Sequence, residues 1–248
     1  CNGTVSEDNI EKITDAHYLY TNNSSSKCKN MFTLRDLDKA RFLFKQGYSA
    51  DQIIDILYRT RAGEDLITYD SEGENLFSNF EGFIETDNRK KYFKLALDCL
   101  KNGYNIILEN DHSEGTQYFA SIIAKEFNKD SNPLIINLTD GLHVSDITEF
   151  SVPILSDSNM KIKMENGIIY EAMKTGRVVI INNLERGKTR VIESLNDVYE
   201  CNLLDDKSIQ IKRGFKVHPN FRIIFTFHSN VPHTLSAAFF NRFIHIKM

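Results

Sequence analysis

The segment Arg177-Val178-Val179-Ile180-Ile181-Asn182-Asn183 constrains the fold more than any other part of the chain, because its four apolar β-branched residues in a row offer no face to water. A strand of that kind is buried on both sides, the position of a central strand in a parallel sheet covered by helices. The surrounding sequence has the alternation that such a sheet requires. Residues 88–100 carry helical apolar spacing and stop at Gly103, 104–109 read as a short strand, and 114–127 as the next helix. A strand follows at 134–138, a helix at 166–175 closed by Gly176, the apolar strand at 177–183 and a helix at 189–199. Strands at 221–227 and 243–247, with a short helix at 236–241 between them, complete the series. The expected class is α/β: a parallel central sheet with helices on both faces, spanning 83–248.

Upstream the texture changes. Thr33-Leu34-Arg35-Asp36 opens a helical run with Leu37, Ala40, Phe42, Leu43 and Phe44, and Gly47 ends it. Ser49-Ala50-Asp51-Gln52 is a capping box, followed by Ile53, Ile54, Ile56 and Leu57 on one face. Residues 22–26 read as a polar loop. The expected organisation is a helical subdomain at 1–69, a Gly/Ser/acidic connector at 70–82, and the α/β unit at 83–248. A chain of 248 residues with 41% hydrophobic and 26% charged residues folds into a core of this size and is not disordered throughout. Its net charge of −4 gives no sign of a nucleic-acid footprint. No apolar run approaches the ~20 residues of a membrane span. The first residue is Cys1 and no signal-peptide core follows, so the chain reads as a segment of something longer. The cysteines Cys1, Cys28, Cys99 and Cys201 are scattered, as expected for reduced thiols of an intracellular protein. No histidines pair at metal-binding spacing with a carboxylate, so no metal site is expected.

Sheets of this class bind ligands at the carboxyl ends of their strands. After the strand at 104–109, a phosphate-binding P-loop would read GxxxxGK[ST]: glycines let backbone N–H groups wrap the phosphates, Lys neutralises them, and the hydroxyl holds Mg²⁺. Here the turn reads Asn110-Asp111-His112-Ser113-Glu114-Gly115-Thr116-Gln117. Gly115 remains, Thr116 stands where Lys belongs, and Gln117 stands where the hydroxyl belongs. Asp111 and Glu114 add negative charge where a triphosphate would lie. The plain alternative is a βα turn that binds nothing. After the strand at 177–183, an ATPase places one acid for Mg²⁺ and another to activate water. This chain has Asn182 and Asn183, whose amides accept no proton at neutral pH and hold Mg²⁺ poorly. Glu185 would replace the missing base only if its carboxylate reached the attacking water.

In the order and spacing of its segments the chain resembles the midasin family, giant ring-forming AAA+ proteins of ribosome assembly. Thr33-Leu34-Arg35-Asp36-Leu37 is similar to the helix start "TLRDL" of a midasin lid, which makes 1–68 similar to the lid of a preceding module. The region 89–119 resembles the opening of the next module. Leu155-Ser156-Asp157 through Ala172-Met173-Lys174-Thr175-Gly176 resembles the approach to the acidic strand. Asn182-Asn183-Leu184 matches "DE.N", and Val191-Ile192-Glu193-Ser194-Leu195-Asn196 matches "VLE.LN". Val217-His218-Pro219-Asn220-Phe221-Arg222 through His228 resembles "HP.FR.FAT.N", with His228 at the sensor Asn. Phe240-Asn241-Arg242-Phe243 matches "L.NRF", whose Arg is the family's arginine finger. The departures fall at nucleotide-contacting positions, while the framework segments remain.

The resemblance implies a P-loop NTPase-like AAA+ core behind a small lid-like subdomain, with candidate nucleotide positions Asn110, Gly115, Thr116, Gln117, Asn182, Asn183 and His228. It also implies candidate catalytic residues Arg242 and Arg35, both addressing the ATP of the preceding module. The plain alternative for each arginine is an ion pair between elements. The expected function is a non-hydrolysing module of an ATP-driven machine that remodels pre-60S ribosomal particles. ATP and Mg would lie at the neighbouring site, with weak nucleotide or none at this one. Expected partners are neighbouring AAA+ modules of the same chain and the pre-60S particle with its assembly factors. The implied location is the nucleus (nucleolus and nucleoplasm). The other readings are a divergent active ATPase module, or a module of mysterin or of a dynein heavy chain.

Overall fold

The computed structural model describes residues 7–22, 32–62, 86–110, 115–156, 159–201, 215–228 and 235–248. The expected connector, most of the polar loop, and Asp111 through Glu114 lie outside them.

The helical subdomain begins with α1 (Glu7–Asn22), which the sequence reading had not resolved as a separate helix. Next comes α2 (Leu34–Lys45), whose N-terminus is closed by a Thr33/Asp36 capping box. Ser49 starts α3 (Ala50–Ile54) by accepting the Gln52 backbone N–H. The helix runs on through a π-turn at Asp55–Arg59 into α4 (Thr60–Ala62). The aromatic rings of Tyr20, Phe32 and Tyr58 pack against one another at 5.3–5.6 Å and fill the centre of this unit.

The second unit follows the expected alternation. It comprises α5 (Asp87–Lys101), β1 (Ile106–Asn110), α6 (Thr116–Phe127), β2 (Leu134–Asn137), α7 (Val144–Ile147), β3 (Glu149–Ser156), β4 (Asn159–Asn166), α8 (Ile168–Thr175) and β5 (Val178–Asn182). After a 3₁₀ turn at Leu184–Arg186 come α9 (Thr189–Glu193), α10 (Asn196–Glu200), β6 (Arg222–His228), α11 (Ala237–Phe240) and β7 (Ile244–Lys247). The five-stranded sheet has the order β2-β5-β6-β1-β7, with each neighbouring pair parallel. Because β1 lies between β6 and β7 while the chain crosses from it to the far edge, the strand order reverses at β1. That reversal opens the crevice at its carboxyl end.

Successive residues of each strand serve opposite faces. Ile107, Val179, Ile181, Ile223 and Phe225 join one apolar cluster with α8 to α11. Ile106, Leu108, Val178, Ile180, Ile224 and Ile244 join the other, with α5 and α6. The same cluster continues without a break into Leu43, Ile53, Leu57 and Tyr58 of the helical subdomain. Phe42 stacks near Tyr104 at 4.7 Å, and the Tyr48 hydroxyl donates to Asp98 at 3.1 Å.

Two elements differ from expectation. β3 and β4 pair antiparallel, Glu149 opposite Asn166 through Ser156 opposite Asn159, outside the parallel sheet. Their signal is the alternation Met160-Lys161-Ile162-Lys163-Met164, a period of two that suits a two-sided ribbon. The helix expected at 189–199 is broken into α9 and α10. There the Ser194 hydroxyl donates to the Val191 carbonyl at 2.7 Å, and the Tyr199 hydroxyl donates to the Ile192 carbonyl at 2.7 Å. Side-chain donors of this kind compete with the helical ladder.

The seam between the units contains a buried polar group. The Asp36 carboxylate, with no exposure, accepts from Arg61 at 2.7 Å, from Lys39 at 3.3 Å and from the Thr33 N–H at 2.8 Å. Lys39 also donates to the carbonyls of Asn241 (2.8 Å) and Phe243 (2.9 Å), and Arg61 donates to the Asn241 side chain. Burial lowers the Lys39 ammonium to about 8, against the opposing pull of Asp36. Thus α2 grips the backbone on either side of Arg242.

Candidate functional site

The crevice at the carboxyl ends of β1, β5 and β6 gathers the candidate nucleotide positions. Gly115 takes φ +76 as the N-cap of α6, a left-handed conformation that a side chain resists. Thr116, at the Lys position, is turned into the protein and is 2% exposed. Its hydroxyl accepts from the Asn110 amide at 3.4 Å. Gln117 is exposed, and its amide donates to Asn183 Oδ1 at 3.3 Å.

Asn182 and Asn183 end β5, and both are committed to neighbours. The Asn182 amide donates to Asn137 Oδ1 at 2.9 Å, and its oxygen accepts from the Thr226 hydroxyl at 3.1 Å. The Asn183 backbone N–H donates to that same hydroxyl oxygen at 3.3 Å. Asn183 sits at φ +61, the sole non-glycine residue with positive φ among those described, a conformation that Asn tolerates better than most residues. At the end of β6 the His228 backbone N–H donates to Glu185 at 3.3 Å, so the substitute base considered from sequence is held by that strand. The result is a chain of neutral amides and hydroxyls running from Asn183 through Thr226 and Asn182 to Asn137. The parts played by Asn137 and Thr226 were not anticipated, since isolated Asn and Thr residues in strands carry no sequence signal.

The arginines lie elsewhere. Arg242 lies two residues before β7, and Arg35 is the second residue of α2. Parallel strands place Arg242 at the amino ends of the sheet, opposite the crevice. The five residues of β1 alone separate the two ends by about 13 Å at ~3.3 Å per residue. Both arginines converge on Glu200 at the end of α10: Arg242 Nε at 2.7 Å and Arg35 Nη1 at 2.8 Å, on the same carboxylate oxygen. Arg242 Nη1 also donates to the Ala238 carbonyl at 2.6 Å. The ion pairs expected as the plain alternative are therefore present, and they share one acceptor.

A family profile for the AAA domain, dynein-related subfamily, matches residues 114–243, more than half of the chain. The chain belongs to that family. Midasin of Dictyostelium discoideum is 27% identical to this chain over 108 residues, 42% of the chain and 2% of midasin. The chain therefore spans a very small fraction of that relative's length. Among solved structures, a candidate ATPase from Cytophaga hutchinsonii aligns at TM-score 0.43 and 17% identity, over 65% of this chain and 46% of that one.

A Mg–nucleotide at this AAA domain's own crevice does not fit the residues present. Thr116 supplies no cation and is buried, the Gln117 amide stands where a metal-binding hydroxyl is needed, and Asn182 and Asn183 carry no charge for the metal. The neutral chain already satisfies the polar groups that a working site would turn towards metal and water.

Proposed function

We propose that this AAA+ ATPase-type module does not hydrolyse ATP itself and supports hydrolysis at an adjacent module through Arg242 and Arg35. One observation carries the reading. The two guanidinium groups meet at the amino ends of the sheet, while the neutral, self-bonded crevice lies at the carboxyl ends. Arginines on that side are out of reach of a nucleotide in their own crevice and are placed to meet one held by a neighbour. A permanently charged planar fork is suited to the charge that develops during phosphoryl transfer.

In this reading residues 1–69 are the lid of the preceding module, and Arg35 and Arg242 address that module's ATP and Mg. The midasin likeness favours a ring that remodels pre-60S particles and their assembly factors in the nucleus. Titration of ATP into this chain by calorimetry, with and without Mg²⁺, tests the inactive crevice. The expected result is no Mg²⁺-dependent binding tighter than about 1 mM, roughly −4 kcal/mol. Micromolar Mg²⁺-dependent binding, abolished in Thr116→Ala, would replace this reading with that of a divergent active ATPase.

A further inference from the structure

We infer that Glu200 is a positioning residue that presents Arg242 and Arg35 as a preorganised pair; the inference rests on the neighbouring-site reading above. Two guanidinium groups brought to one place repel each other unless an anion lies between them. Glu200 supplies it, accepting from Arg242 Nε and Arg35 Nη1 on a single oxygen.

The position of Glu200 is itself set by the core. The preceding residue, Tyr199, has no exposure, and its ring packs edge-on against Phe225, Phe239 and Phe243 at 5.7, 5.6 and 5.2 Å. Its backbone carbonyl accepts from the Asn105 amide at 2.8 Å, at the foot of β1. The carboxylate is therefore anchored to the sheet rather than carried on a free surface helix. Arg242 is held on two sides, by Glu200 at Nε and by the Ala238 carbonyl at Nη1. Among the described residues nothing accepts from its Nη2, nor from Nε or Nη2 of Arg35. Fixing the two forks in this way leaves Nη2 of Arg242 and the Nε/Nη2 edge of Arg35 as the donors not taken by a described residue, held ready for an oxyanion with little loss of side-chain freedom.

The Glu200 side chain is 21% exposed, so its amide counterpart fits without a cavity or a buried unpaired charge. The test compares Glu200→Gln, Arg242→Ala and the double variant in the intact protein, reading single-turnover ATP hydrolysis, KM for ATP and the denaturation midpoint. Losing the carboxylate charge from both contacts to the pair should slow turnover about ten- to a hundredfold. KM and the midpoint should stay near those of the parent, and Glu200→Asp should recover part of the rate. Glu200→Gln should cost much less in the Arg242→Ala background, where only its hold on Arg35 is left to lose, than in the parent. A normal rate in Glu200→Gln beside a slow Arg242→Ala would overturn the positioning role and leave the neighbouring-site reading standing. A loss in the double variant equal to the full product of the two single losses would likewise overturn it. A normal rate in Arg242→Ala would remove the neighbouring-site reading, and the positioning role with it.

Discussion

Replacing Arg242 by Ala in the intact protein is expected to slow ATP hydrolysis at the adjacent module by about 10³- to 10⁵-fold, the range that arginine fingers supply. The effect should fall on the chemical step, because in the proposed role Arg242 Nη2 would meet charge that is greatest in the transition state. Arg242→Lys should recover little. An ammonium cannot keep both the Glu200 and Ala238 contacts while still offering a planar edge. Arg35, half exposed and held among the described residues by Glu200 alone, should matter less, and its removal should cost a smaller part of the rate. Single-turnover measurement with ATP preloaded at the adjacent site is the appropriate readout, and an unchanged rate in Arg242→Ala removes the assignment.

The largest expected effect on stability belongs to Asp36→Ala. The carboxylate is fully buried, and the Lys39 and Arg61 side chains beside it are only 4% and 3% exposed. Deleting it leaves two cations in the seam without their counter-ion, a loss of about 3–5 kcal/mol for a broken buried pair. It also removes the acceptor for the Thr33 N–H at the start of α2. Replacing Asp36, Lys39 and Arg61 together by apolar residues of similar volume should be much milder, because the cost arises from the stranded charges. Urea unfolding of the single and triple variants checks both statements, and a single variant with the parent midpoint would contradict the account.

Most of the parallel sheet was legible because its strands are continuous apolar runs and two of its helices stop at glycines with positive φ. Gly103 and Gly176 end α5 and α8 in that conformation, at φ +90 and +75. The antiparallel pair β3–β4 was less legible, because the period-two alternation of 160–164 is short and the pair lies between the helices α7 and α8. The missing cation and acids of the crevice were equally plain, since Thr116, Gln117, Asn182 and Asn183 are defined by position along a strand–turn–helix unit. What replaces them was not, because the links from Asn182 to Asn137 and Thr226 join residues 45 and 44 positions apart. Glu200 is the clearest omission. Nothing in its local sequence marks it, and its importance arises only where α2, α10 and the approach to β7 meet in space.

The unbroken apolar cluster shared by α2, α3, α5, α6 and one sheet face sets how this molecule comes apart. A chain whose segments differ in texture invites the picture of two bodies on a hinge. Here neither piece can shed its partner without wetting Leu43, Leu57 and Ile244, so the two are expected to melt together in one transition rather than to rock on a hinge.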